Sequence, residues 1–203
     1  MGGDLEGTDE VLWRLVVNGD GDAFGAVFDR HRDRVLHHAL GVIGSAHAAE
    51  DVTAMVFYEA WRRREYVRMV NGSIVAWLLV TANNTLRNEL RQRRRYRGFL
   101  GRLPPPADSP DIAEAYADGD QQEFEAATLE RAFARLRQAD RNVLTLCVVE
   151  EMSIRDAAAA LGVPEGTVKS RLNRAKARLG DLYDEVSSTY AIDRQAAQGQ
   201  RPL

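Results

Sequence analysis

The chain has 203 residues, 45% of them hydrophobic, a formal net charge of −3 and one cysteine. That is enough apolar material for one medium core or two small ones, and a lone Cys147 excludes an internal disulfide framework. Apolar runs stay short of the about 18 to 20 residues that a membrane-spanning helix needs. Asp4, Glu6, Asp9 and Glu10 stand where a secretory leader would carry basic residues and then an apolar block, so the expectation is a protein of the reducing cytoplasm.

Apolar residues recur three and four apart on both sides of a central gap, and β-branched alternation is scarce, which predicts an all-α protein. Thr8 precedes Asp9 and Glu10 as the N-cap of a short helix to about Asn18. Asp22 caps a second helix carrying Phe24, Val27, Phe28, Val35 and Leu36, and Ser45 a third through Val52, Val56 and Trp61. A fourth runs from about Ser73 to Arg95, with Trp77, Leu78, Leu86 and Leu90 as its apolar positions. Between Arg87 and Arg97 it holds six arginines against one acid, Glu89. Pro104, Pro105, Pro106 and Pro110 then break regular structure, among Gly98, Gly101 and Gly119. Residues 103–128 carry seven acids and neither Lys nor Arg, so this stretch reads as a flexible acidic linker.

The helical pattern restarts at Leu129, Phe133 and Leu136, and again at Val143, Leu144, Cys147 and Val148, where Cys147 serves as a small buried hydrophobe. Ser153 and Asp156 form an acid-for-Glu version of a capping box, with Ile154, Ala157, Ala158 and Leu161 on one helical face. Gly162 stops that helix as a left-handed cap and Pro164 opens the next, whose buried stripe is Val168, Leu172, Ala175 and Leu179. This is a helix-turn-helix pattern. The outward positions of its second helix are Thr167, Lys169, Ser170, Arg171, Asn173, Arg174, Lys176 and Arg178, nearly all hydrogen-bond donors. Such a helix fits a DNA major groove, early residues meeting base edges and later arginines meeting phosphates. Lys169 suits a guanine and Glu165 a cytosine amine. The expected division is an extension with a short helix (1–19), a helical bundle (20–97), the linker (98–128), a helix-turn-helix domain (129–185) and a disordered Ala-, Gln- and Arg-rich tail (186–203).

The run Glu165-Gly166-Thr167-Val168-Lys169-Ser170-Arg171-Leu172-Asn173-Arg174-Ala175 resembles the region 4 recognition helix of extracytoplasmic-function (ECF) sigma factors of the sigma-70 family. Ala49-Glu50-Asp51-Val52 with Val56-Phe57 and Ala60-Trp61 resembles region 2.2 of that family. Trp77-Leu78, Ala82-Asn83-Asn84 and the arginine cluster resemble regions 2.3 and 2.4. The resemblance implies an alternative sigma factor, monomeric when free, with no cofactor or catalytic residue. Its implied partners are the β′ clamp helices and β flap of core RNA polymerase, promoter DNA and, as commonly in the family, an anti-sigma factor. Glu50, Asp51, Met55 and Glu59 would meet the clamp. Arg68, Asn71, Trp77, Asn83, Asn84, Arg87, Arg91 and Arg94 would capture the −10 strand, since single-strand binding needs cations along the backbone and faces for unstacked bases. Glu165 and the outward residues of the last helix would read the −35 duplex. Ala54-Met55 replaces the family's usual Gln-Glu, Ala139 stands near an expected proline, and residues 65–73 match no transferable pattern.

Other constellations are weaker. His31-Arg32-Asp33 imitates the start of a kinase catalytic loop, but His38 stands where its asparagine belongs and no glycine-rich phosphate loop precedes it. His31, His37, His38 and His47 lack ligand spacing, so they are expected to be solvated or partly buried helix residues rather than a metal site. A competing reading is an operator-binding regulator, which would have to dimerise on a palindrome.

Overall fold

The computed structural model describes residues 7–100 and 121–199, which form eight α-helices and no named strand. In chain order they are α1 (Asp9–Val17), α2 (Gly21–Ile43), α3 (Ala46–Arg62), α4 (Val75–Leu100), α5 (Gln121–Arg135), α6 (Gln138–Leu144), α7 (Ile154–Leu161) and α8 (Glu165–Gly199). A 3-10 turn, Arg64–Tyr66, follows α3, and a π-type turn, Thr145–Val149, extends α6. None of the described helices is long and apolar enough to cross a membrane.

The caps correct the sequence reading in places. Thr8 and Ser45 stand at the N-cap positions of α1 and α3, but neither side chain makes a capping bond. The cap of α2 is Asp20, not Asp22: Asp20 is extended and its carboxylate accepts from Ala23 N at 2.9 Å, while Asp22 lies in the first turn, where its charge favours the helix dipole. Helix α4 runs past Arg95 to Leu100, because a single Gly98 is tolerated in a helix at modest cost. Helix α5 starts at Gln121, inside the expected linker, whose Gln, Glu and Ala there are good helix formers. Helix α8 continues to Gly199 through most of the tail expected to be disordered; no Gly or Pro falls between Asp181 and Gln198 to stop it. The proline-rich segment 101–120 lies outside the described residues.

Two apolar cores result. In the first, Leu12, Trp13 and Val16 of α1 close over Val27, Val35, Val52, Val56, Leu78 and Leu86 of α2, α3 and α4. Its aromatic members meet edge to face, with centroid separations of 5.1 Å for Phe24–Trp61 and 4.8 Å for Phe28–Phe57. The second core joins Leu136, Val143, Leu144, Leu146, Ala157, Val168 and Ala175 of the C-terminal half. Ala76 of α4 belongs to this second core and Phe133 of α5 packs against both, so the halves touch.

Candidate nucleic-acid interface

The helix-turn-helix is built by local rules. Ser153 Oγ accepts from Asp156 N at 3.1 Å and donates to its carboxylate at 2.8 Å, which starts α7. Gly162 ends α7 in the left-handed region (φ 65°), and Val163 N returns to Ala158 O. Pro164 then precedes α8. Val168 and Ala175 are fully buried, while Leu172 and Leu179 pack at the margin of the second core. Glu165, Lys169, Ser170, Asn173, Arg174, Lys176 and Arg178 are exposed, whereas Thr167 and Arg171 are half-buried. Two cations on this helix have employment within the protein. Arg178 pairs with Asp140 of α6 at 3.1 Å, and Arg171 turns toward a cleft with Val80, Asn84 and Asn142.

In the N-terminal half, the stretch 65–73 that matched no pattern holds a tight turn. Asn71 (φ 52°) and Gly72 (φ 72°) are both left-handed, and Val70 and Ser73 exchange backbone bonds of 3.0 and 3.1 Å around them. That is an Asn-Gly type I′ turn, whose dipeptide was a usable signal in the sequence. Asp9 fixes its exit. The carboxylate accepts from Ser73 Oγ (2.8 Å) and Ile74 N (3.1 Å), capping α4, and pairs with Arg30 (2.8 Å) and His31 (2.7 Å) of α2. Burial alone would raise the carboxyl, but the bonds from His31, Arg30 and Ser73 overcome it and hold Asp9 well below the usual carboxylate range. His31 is therefore a buried partner of Asp9 rather than a solvated histidine.

Between α3, α4, the residues Tyr66 and Arg68 and the end of α7 lies an open groove of about 880 Å³. Trp77, Tyr58 and Tyr66 line it together with Arg62, Arg63, Arg68, Asn84 and Asn88. Of the residues named from sequence for the −10 strand, the groove brings together Trp77, Arg68 and Asn84, and beside them stand Tyr58, Tyr66, Arg62, Arg63 and Asn88, which the sequence reading did not name. Trp77 also packs on the first core. Met55 and Glu59, expected to contact another protein, line the same groove.

Several residues expected to be free for nucleic acid are engaged by the C-terminal half instead. Asn83 is 0% exposed. Its carbonyl accepts from His38 Nε2 at 3.0 Å, and its amide donates to Thr145 Oγ1 at 3.2 Å. Arg87 donates to Gln138 at 2.9 Å, and the Gln138 amide donates to Asn84. Asn71 donates to Asp156 at 3.0 Å, and the Arg68 guanidinium lies against Gly162. Arg91 is exposed on α4; the side chain of Arg94 lies outside the described residues.

The outer face of α3 presents Glu50, Asp51, Met55 and Tyr58 to solvent, with Met55 57% and Tyr58 67% exposed. Glu59 is different in kind: Arg62 grips it with two bonds of 2.9 Å and Arg63 adds a third contact at 2.5 Å, and these bonds lower its pKa. Its charge is largely answered from within the helix. The face α3 offers to a partner is therefore an acidic end at Glu50 and Asp51 beside an apolar Met-Tyr pair.

Residues 27–96 match the family model for Sigma-70 region 2, and residues 126–179 match that for Sigma-70, region 4. The ECF RNA polymerase sigma factor SigM of Mycobacterium tuberculosis is 30% identical over 194 residues, covering 96% of this chain and 94% of its own length. SigL of the same species is 30% identical over 168 residues, covering 81% of this chain and 90% of its own. Among solved structures, CnrH in complex with the cytosolic domain of CnrY aligns over 87% of this chain and 97% of CnrH, at 25% identity and a TM-score of 0.57.

Proposed function

The chain belongs to the sigma-70 family of RNA polymerase sigma factors, in its ECF group, and on that premise we propose how it works as a promoter-specificity subunit. It binds core RNA polymerase, recognises promoter DNA and supports initiation, and it catalyses no reaction itself. The N-terminal bundle, residues 20–97, takes the −10 segment as a single strand. Bases stack on Trp77 and Tyr66, each stack being worth about 1–3 kcal/mol, while Arg68, Arg87, Arg91 and Arg94 follow the phosphates and Asn71, Asn83 and Asn84 meet base edges. The C-terminal domain, residues 129–185, lays α8 in the −35 major groove. Lys169 and Glu165 read base edges, with Thr167, Ser170, Arg171 and Asn173 beside them, and Arg174, Lys176 and Arg178 hold phosphates.

Core polymerase meets the acidic and apolar face of α3 through Glu50, Asp51, Met55 and Glu59 on the β′ clamp helices, and the C-terminal domain meets the β flap. The linker, residues 98–128, passes through the cleft near the RNA exit path, its acidity imitating nucleic acid. CnrH is held by the cytosolic domain of a second protein. We extend that arrangement to this chain, with an anti-sigma factor as its regulatory partner.

One observation carries the reading: a single chain joins a groove of aromatics and arginines to a helix-turn-helix whose second helix shows a basic outer face. The test is transcription in vitro with bacterial core polymerase on a pool of genomic fragments, sequencing the 5′ ends of the products. Specific start sites that require the protein are expected. Specific binding to a palindromic duplex by a dimer, without core-dependent starts, would overturn the reading.

A further inference from the structure

The segment between α3 and α4, residues 64–74, carries Tyr66, Arg68 and Asn71, which the function above assigns to the −10 strand, and all three are exposed. Val67 and Met69 between them pack against the first core, and Val70 is buried. Both ends of the segment are tied to α1. At the start, the buried Trp13 donates from Nε1 to Arg64 O at 3.1 Å. Arg64 reaches back to donate from Nε to Val17 O at 3.4 Å, and its guanidinium lies 5.0 Å from the centroid of the Trp61 ring. At the end, Asp9 accepts from Ser73 Oγ at 2.8 Å and from Ile74 N at 3.1 Å, while Arg30 and His31 of α2 hold the same carboxylate. Asp9 and Trp13 stand about one helical turn apart. A segment of this length could span about 30 Å when extended, yet its two ends are fastened to one short helix.

Resting on that functional reading, we propose that α1 is a positioning element for strand capture: Asp9 and Trp13 clip segment 64–74 at its two ends and so present Tyr66, Arg68 and Asn71 in a fixed arrangement. Closing the core needs only apolar side chains on α1, and Leu12 and Val16 supply them. A carboxylate and an indole N–H are costly to bury unless they are bonded. Here each finds its bond at one end of the same segment, which ties the order of that segment to the folding of α1. A segment that orders only as DNA arrives loses conformational entropy on binding, and one already clipped at its base loses less. The clip therefore favours capture, and by holding the exposed side chains in register it narrows the set of bases they accept. Asp9 and Trp13 are 5% and 3% exposed, so they act through the segment and not by touching the strand.

Trp13 and Ser73 test the clip without altering any residue assigned to DNA or polymerase. Trp13→Phe keeps an aromatic ring in the core and removes the N–H; Ser73→Ala removes the hydroxyl that Asp9 holds, and Ser73→Thr keeps it. The full-length proteins are compared with core polymerase on a promoter found for the wild type and on that promoter with each single-base change in its −10 element. The readout is the ratio of initiation on the parent promoter to initiation on each changed one. A fold that is merely weakened lowers both alike and leaves the ratio where it was, whereas a loosened segment lowers the ratio. Trp13→Phe and Ser73→Ala are each expected to reduce it about three- to tenfold at the −10 positions the wild type discriminates most strongly. Ser73→Thr should retain the wild-type ratio, and competition for core polymerase should be unchanged in all three. Helicity by circular dichroism confirms folding, and Ser73→Ala, at a half-buried site, carries the test should Trp13→Phe fail to fold.

Folded variants that keep the wild-type ratio at every −10 position would overturn the positioning role of α1, and the core-dependent start sites of the same wild-type preparation would leave the sigma reading standing. A wild type that gives no core-dependent start sites would overturn that reading, and the proposal with it.

Discussion

Lys169 projects from the second turn of α8 into solvent, and no described contact ties it to the fold. Removing its ammonium therefore costs a ligand and no packing. Lys169→Ala is expected to weaken −35-dependent transcription by about 1–3 kcal/mol while competition for core polymerase is unchanged; unaltered promoter strength would dismiss it as a base-reading residue. Asp9 is the opposite case, a carboxylate whose value lies wholly inside the protein. With four donors from α2 and the start of α4, Asp9→Asn leaves His31 and Arg30 without their anion, and a loss of about 3 kcal/mol in urea unfolding is expected. Because the folded pKa of Asp9 lies below its ordinary value of 3.8, its contribution is complete above that pH and fades as the pH falls toward the folded value. Acid titration of the wild type should show this loss below about pH 4, and the Asp9→Asn variant should lack that part of the slope.

At the scale of elements, Gly162 is where α7, α8 and the N-terminal half constrain one another. Its φ of 65° is unfavourable for a residue with a Cβ, and that Cβ would press into the Arg68 guanidinium. Gly162→Ala should cost about 1–2 kcal/mol in urea unfolding and shift the −35 helix, read as weaker duplex binding. Helix α3 carries a different expectation. Glu59 is already neutralised by Arg62 and Arg63, so Asp51, two-thirds exposed, holds most of the accessible charge on that face together with Glu50. Asp51→Arg should reduce core polymerase binding in a competition assay and leave helicity intact. These local features were the legible ones. Ser153, Asp156, Gly162 and Pro164 specify the helix-turn-helix because a cap, a left-handed stop and a helix start each depend on a few neighbouring residues. The reach of α5 and α8 was misjudged because acidic or polar composition was read as disorder where helix propensity was high. Asn71-Gly72 was as local a signal as any and was passed over. Asp9 was beyond such reading, since its partners lie 21 to 65 residues away in the chain.

At the scale of the whole molecule, the sequence pointed to two all-α units and assigned Asn83, Asn84 and Arg87 to one of them as open ligands, but which side chains stay open depends on how the halves dock. Periodicity carries no information about that docking. Its centre is a relay across three elements: His38 of α2 donates from Nε2 to the Asn83 carbonyl of α4, and the Asn83 amide donates to Thr145 after α6. Burial, and after it the Arg141 cation, push the His38 pKa below its ordinary value and keep the imidazole neutral, and the bond to Asn83 only partly opposes them. Arg141 reaches it from α6, while Arg87 of α4 acts in turn on Arg141, so the charges placed around this imidazole are positive. Unfolding returns His38 to water, where its pKa rises to the ordinary value, so the unfolded chain binds the proton more readily. The contribution of the neutral imidazole to stability is therefore complete above about pH 6.5 and is progressively lost as the pH falls below it. Urea unfolding of the full-length protein should show this loss between about pH 7 and 5. His38→Gln, which keeps a donor for Asn83 but cannot titrate, should flatten that dependence relative to wild type. An equally steep profile in the variant would remove His38 from the relay as its titrating member.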